Sequence, residues 1–359
     1  MVKKETKTKN YMNKLWYISM RAYITLGFSF YYKKILIKGK KNITKNKAIV
    51  FISNHPNALI DPLLIATKSS RIVHYLTQAA AFIDNTFVKT ILTASNMLPV
   101  YRIKDGISSE KLIAYNKKTF EECFDILNNK EAILIYVEGS HNFRRKVRPF
   151  KKGFARIVFG AMDKYKDLEI DIIPVGMNYS NIGTYGSKVS VNFGKPIAVK
   201  PFWEIEDRND AIIKIKEKAE SKLKLVTNHI TDSENYDTIL QYFKPDEFLY
   251  PEKVNKKLHH INLNNPIPAF KKRKSSFNLL EILIRINSFF PLLIWNKIKA
   301  TIKEKEYIST FRFSIGLTAF PLFYLLQSII IGLLTTFNYG ILYFFTSILL
   351  MYIFVKIKK

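Results

Sequence analysis

The sequence predicts an α/β fold, a mixed sheet flanked by helices, followed by a C-terminal transmembrane helical hairpin. Two observations carry this. From Lys33 to about Phe243 short apolar runs alternate with helical stretches, the pattern of strands and their covering helices. Further on, residues 313–334 and 339–355 carry no charged side chain. Each is long enough to cross a hydrocarbon core of about 30 Å.

Residues 1–32 are expected to form an interfacial amphipathic segment. Met1 to Asn10 is basic, and Trp16, Tyr17, Phe28, Phe30, Tyr31 and Tyr32 follow, interrupted by Lys14 and Arg21. That pattern suits an uncleaved helix lying at a membrane surface better than a leader peptide. Residues 33–243 form the α/β domain. Its predicted strands are Ile35–Ile37, Ala48–Ile52, Ile72–Leu76, Leu98–Val100, Ala132–Val137, Asp171–Pro174 and Lys188–Phe193. Its predicted helices span 61–68, 84–94, 108–128, 151–164 and 208–229. Residues 244–306 read as a basic linker and interfacial helix. The linker holds Pro245, Pro251, Pro266, Pro268 and the cluster Lys271-Lys272-Arg273-Lys274. In 277–295, Glu281, Arg285 and Pro291 interrupt an apolar stretch, which points to an interfacial or re-entrant segment. Residues 307–359 form the hairpin. Lys297, Lys299, Lys303 and Lys305 precede it, Lys356, Lys358 and Lys359 end it, and the tip from Thr335 to Tyr339 is uncharged. Positive flanks and a neutral tip predict both ends on the cytoplasmic face.

The formal net charge of +28 over 359 residues calls for a polyanionic partner. With membrane spans present, that partner is an anionic lipid bilayer. No nucleic-acid motif is visible, so nucleic acid is not expected. Cys123 is the only cysteine, which rules out an intrachain disulfide and thiolate-rich metal sites. Beside Phe120, Phe124 and Leu127 it reads as a core residue rather than a nucleophile.

Four segments carry candidate chemistry. In the first, a buried strand ends at Ser53 and runs into Asn54-His55-Pro56, then Asp61-Pro62 opens a helix. Taken alone, Asp61 suits a helix N-cap with Pro62 behind it. His55, outside the strand in a turn, has no such bland reading, and a carboxylate nearby could orient it as a base. The second segment is Leu98-Pro-Val-Tyr-Arg102, where a cation at a strand end can hold a phosphate or simply be solvated. In the third, an apolar strand meets Glu138-Gly139-Ser140-His141, and Arg144, Arg145, Lys146, Arg148, Lys151 and Lys152 follow within nine residues. Glu138 can bind a polyol or pin its loop, and the cations are either a solvated face or a phosphate site. The fourth, Ile172-Ile-Pro174-Val-Gly176-Met-Asn-Tyr179, looks like a strand broken by Pro and Gly, opening room for an acyl chain or pantetheine arm.

In this order and at this spacing the four blocks resemble the glycerophospholipid acyltransferase family, over roughly residues 35–200. The resemblance implies direct acyl transfer from acyl-CoA or acyl-carrier protein to a glycerol-phosphate hydroxyl, with no cofactor and no metal. It implies His55 as general base oriented by Asp61. It also implies Arg102, Glu138, Gly139 and Ser140, with Arg144, Arg145 or Arg148, around the phosphate and glycerol, and Pro174 and Gly176 at the acyl donor. Two positions depart from the family pattern. Five residues separate His55 from Asp61 where four are usual, and Ser140-His141 stands in place of Thr-Arg. These variants are similar to a branch acting on glycerol-3-phosphate or dihydroxyacetone phosphate. The alternative acceptor is 1-acylglycerol-3-phosphate, and the alternative of another class is an inactive protein that binds anionic lipid. No G-x-S-x-G elbow supports a serine hydrolase.

Overall fold

A computed structural model describes residues 2–82, 90, 92–103, 106–263 and 279–357. Lys104, the cluster at 271–274, Lys358, Lys359 and most of the helix predicted over 84–94 lie outside the described residues.

The centre is one mixed eight-stranded sheet. Strands β1 (Lys34–Lys38), β2 (Ala48–Ser53), β3 (Val73–Gln78), β4 (Met97–Val100), β5 (Ala132–Ile135), β6 (Ile170–Tyr179) and β7 (Lys188–Phe193) lie in the order β1-β7-β6-β2-β5-β3-β4. A short β8 (Ile197–Ala198) pairs with β6. Pairings around β2, β3, β4 and β5 are all parallel, and β7 runs antiparallel to β6. The run Ala-Ile-Val-Phe-Ile-Ser of β2 is buried throughout because both faces of the sheet are covered, which is why it reads as unbroken apolar sequence.

One face packs against helices α3 (Ser109–Asn128), α4 (Gly153–Lys164) and α5 (Arg208–Val226). Val50, Ile52 and Ile133 meet Leu127, Phe154, Val158, Ile215 and Leu223 there. Cys123 belongs to this layer, and burial raises its thiol to about 12, so it is inert packing. The other face packs against α1 (Val2–Tyr31) and α2 (Ile60–Lys68), where Ile49, Phe51 and Leu134 meet Phe28, Tyr31, Ile60 and Leu64.

Two expectations fail here for clear physical reasons. Pro174 does not break β6; the strand runs through it in the middle of the sheet. Its carbonyl accepts from Gly194 N–H at 2.7 Å, in the connection between β7 and β8, so the N–H it lacks faces a gap with no strand to bond. Gly176 is in the strand because the Val226 carbonyl crosses there; a Cβ would lie 1.8 Å from that oxygen. Residues 244–258, expected in the linker, pack on the domain instead. Pro245 and Pro251 open short helices, Phe248 and Leu249 are buried, and Ser190 Oγ donates to Leu249 O at 2.9 Å. The second of these helices is α6 (Pro251–Leu258).

Beyond the domain, α7 (Leu279–Asn287) and α8 (Phe289–Thr301) meet at an 86° bend. Then α9 (Ile308–Leu334) and α10 (Phe337–Ile357) form the hairpin, each long and apolar enough to cross a membrane. The hairpin docks on α1: Phe28 stacks on Phe313 at 4.6 Å, Tyr23 Oη donates to Leu317 O, and Lys356 Nζ donates to Tyr32 O at 3.0 Å.

Candidate active site

Strands β2 to β6 are parallel, so their C-terminal ends share one edge, the place where open α/β sheets bind ligands. The turn after β2 is anchored first. Asn54 grips the backbone of β6, donating to Met177 O at 3.0 Å and accepting from Met177 N–H at 2.8 Å. Ser53 Oγ donates to Val175 O at 2.8 Å.

From this anchor His55 turns its Nδ1 to Asp61 Oδ2 at 2.9 Å. Asp61 is not the N-cap that its neighbour Pro62 suggested. The helix begins at Ile60, and the fully buried carboxylate points back into the turn. It accepts from Asn57 N–H at 2.7 Å on Oδ2 and from Tyr179 Oη at 2.5 Å on Oδ1. Three donors on one buried carboxylate fix its rotamer and compensate its desolvation. The turn between His55 and Asp61 includes Ala58 at a φ of 25°, strained for an L side chain.

His55 is further held by the Tyr136 ring, stacked at 3.5 Å and 6° between planes. His141 stands edge-on at 4.9 Å, and Asn142 N–H donates to His55 O at 2.9 Å. Burial and the neighbouring His55 push His141 down to about 4, so it is neutral at physiological pH. With Nδ1 of His55 donating to Asp61, Nε2 is left as a proton acceptor.

The third block serves its own loop. Burial raises the Glu138 carboxyl above the ordinary range, opposed by Arg148, whose Nε donates to Oε2 at 2.8 Å and whose backbone N–H reaches Oε1 at 3.2 Å. Arg148 also donates through Nη1 to Ser140 Oγ at 2.9 Å and through Nη2 to Ser140 O. Gly139 takes φ 77° in this turn, and its N–H is spent on Tyr136 O at 3.0 Å, so it is not a free oxyanion donor.

The remaining predicted residues divide. Arg102 contacts Gln78 Oε1 and lies within electrostatic reach of Tyr307, which touches His141; it therefore borders the site. Arg145 turns away, donating to Ser180 O at 3.1 Å and covering the Phe248 ring at 3.9 Å, while burial lowers it to about 10. Arg144 is exposed over Tyr236. Pro174 and Gly176 lie on the opposite face of β6 from Tyr179, buried toward α5. Sequence reasoning assigned no role to Asn54, Tyr136 or Tyr179. Tyr179 stands at the end of the fourth block, but nothing in a linear sequence links it to a carboxylate 118 positions earlier.

Comparison with known proteins then decides the class: residues 34–178 match the family model described as Acyltransferase. Residues 34–178 are an acyltransferase domain, similar to that of a glycerol-3-phosphate O-acyltransferase. The chain is 29% identical over 148 residues to glycerol-3-phosphate O-acyltransferase 1 of Saccharomyces cerevisiae, covering 38% of this chain and 19% of that protein. It is 26% identical over 140 residues to an uncharacterized acyltransferase of Schizosaccharomyces pombe, covering 35% of this chain and 20% of that one. The chain thus matches about a fifth of the length of these curated relatives. Among solved structures it is similar to the 1-acyl-sn-glycerophosphate acyltransferase PlsC of Thermotoga maritima. That match has 17% identity and a TM-score of 0.43, over 60% of this chain and 83% of that one.

Proposed function

We propose that the chain moves a fatty acyl group from acyl-CoA or acyl-carrier protein to a hydroxyl of glycerol-3-phosphate or dihydroxyacetone phosphate. The observation that carries this is the His55–Asp61–Tyr179 chain of hydrogen bonds within an acyltransferase domain. The acceptor hydroxyl gives its proton to His55 Nε2 as its oxygen attacks the thioester carbonyl. The C–O bond forms, the C–S bond breaks, and the departing thiolate takes the proton back from Nε2. The products are an ester and a free thiol. Asp61 stabilises the transient imidazolium and keeps Nε2 aimed outward; base assistance of this kind contributes about 10²–10⁴-fold. Arg102 is assigned to the acceptor phosphate because it borders the site and carries a permanent charge.

The reading has the domain docked on the cytoplasmic face of an anionic bilayer, tied there by α9 and α10. A second acceptor, 1-acylglycerol-3-phosphate, is favoured by one observation. The start of α9 touches the His55 turn, so a lipid could reach the site from the bilayer. The deciding assay uses purified full-length protein in detergent with labelled acyl-CoA and both acceptors. Transfer to glycerol-3-phosphate is expected, and His55→Ala should abolish it while the protein stays folded, since His55 is held in a turn and leaves no core cavity. Wild-type turnover by folded His55→Ala protein would remove the mechanism.

A further inference from the structure

Three contacts bind the start of the hairpin to the edge of the sheet that carries His55. Leu59 N–H, in the turn between His55 and Asp61, donates to Thr310 Oγ1 at 3.2 Å. Arg312 donates to Gly183 O at 3.4 Å and lies over the Trp295 ring at 4.5 Å. Tyr307 meets the ring of His141 edge-on, 5.2 Å between centroids at 86°, with Oη 3.5 Å from Nε2. His141 in turn stands edge-on against His55 at 4.9 Å. The imidazole of His55 is therefore fixed by Asp61 at Nδ1, by Tyr136 against one face, and by His141 from another side.

We propose that Tyr307 and His141 are positioning residues for His55, so that the first turn of the membrane hairpin is part of the active site. This rests on His55 acting as the base. The residue at position 141 is an uncharged ring packed beside His55. In the reaction His55 becomes an imidazolium, and the neutral His141 ring adds no fixed charge beside it. The charged groups facing His141 are His55, Asp61, Glu306 and Arg148, and burial keeps its own ring neutral among them. A neutral imidazole can then pack against His55 without charge repulsion. Tyr307 supplies the wall that holds it there, and Tyr307 comes from the segment that enters the hairpin.

The test uses the full chain in lipid nanodiscs with Tyr307→Ala, Tyr307→Phe and His55→Ala variants. Tyr307→Ala should lower kcat about tenfold or more, as a misplaced catalytic group does, while both KM values stay within about twofold. Tyr307→Phe keeps the ring and should recover most of the loss, because the Oη contact is at the limit of a hydrogen bond. Independently of turnover, diethyl pyrocarbonate labelling of His141 at neutral pH, read by peptide mass spectrometry, should be several-fold faster in Tyr307→Ala. Unchanged kcat, a loss confined to KM, or unchanged His141 labelling would overturn the proposal. If His55→Ala turns over like wild type, the acyl-transfer mechanism itself falls. If His55→Ala is dead while Tyr307→Ala behaves as wild type, only the role of Tyr307 falls.

Discussion

Replacing Asp61 with Asn isolates one variable, the carboxylate charge. Oδ2 of Asp61 accepts from both His55 Nδ1 and the Asn57 N–H, while Oδ1 accepts from Tyr179 Oη. An amide has one oxygen and one NH₂, and only one orientation fits. The backbone N–H of Asn57 cannot turn away, so the amide oxygen must take the Oδ2 place and the NH₂ must donate to the Tyr179 hydroxyl oxygen. The hydrogen bonds survive in number and His55 keeps its tautomer, but the negative charge is gone. Asp61 has no exposure and the His55 side chain is only 13% exposed, so solvent screens the pair weakly. At about 4 Å between charge centres and an effective dielectric of about 20, the carboxylate stabilises an imidazolium by about 4 kcal/mol. Losing that much in the transition state lowers kcat roughly 10³-fold. Steady-state kinetics should therefore show Asp61→Asn reduced by two to three orders of magnitude in kcat, on the order set by that estimate. The thermal midpoint should move little. A variant that keeps kcat within about threefold of wild type would refute the imidazolium argument. A collapse of stability would instead show that the amide cannot satisfy the turn.

Three further outcomes follow from other positions. Arg102→Ala should raise the acceptor KM about tenfold or more, the cost of one charge-assisted contact, with the donor KM nearly constant; a donor-only effect would move Arg102 to a coenzyme A phosphate site. Gly176→Ala should destabilise the fold by roughly 3 kcal/mol, because its Cβ meets the Val226 carbonyl oxygen, a backbone atom that cannot rotate away; a thermal midpoint equal to wild type would contradict the crossing. His141 is depressed from 6.5 to about 4 in the fold, so the unfolded chain binds the proton first. Stability should therefore fall as pH drops from about 6.5 toward 4, and His141→Gln should flatten that part of the thermal-midpoint profile.

The sheet was legible because parallel strands covered on both faces read as short continuous apolar runs, as in Ala48–Ser53 and Ala132–Ile135. What misled was local chemistry whose meaning depends on distant partners. Pro174 argues for a strand end only if its missing N–H would face another strand, and here it faces the β7–β8 connection. Asp61 before Pro62 has the sequence of a helix cap, yet its carboxylate belongs to His55, and only the fold brings Tyr179 to it. Pro245 and Pro251 looked like linker residues; Pro245 starts a short helix packed on β6 and β7, and Pro251 starts one whose Val254 packs with Phe243 and Phe248. The cations after Glu138 are alike in sequence and unlike in place. Arg144 is exposed, Arg145 is half-buried over the Phe248 ring, and Arg148 is locked to Glu138.

That division bears on how the domain handles its departure from the usual Thr-Arg pair. With Ser140-His141 in that place, the loop has lost a guanidinium of its own. Arg148 restores one from eight residues downstream, reaching back to both the hydroxyl and the carbonyl of Ser140. The same guanidinium neutralises Glu138, whose burial would otherwise favour the protonated acid. Arg148 is thus committed to holding the loop in shape, and most of its hydrogen-bonding capacity is used before any substrate arrives. Position 141 is left to an uncharged ring that packs edge-on against His55. On the proposed function, an acceptor phosphate would draw its fixed charge from a residue other than Arg148. Arg102, just past the end of β4 and within electrostatic reach of Tyr307, is the residue to which the proposed function gives that role, and the Arg102→Ala kinetics test it.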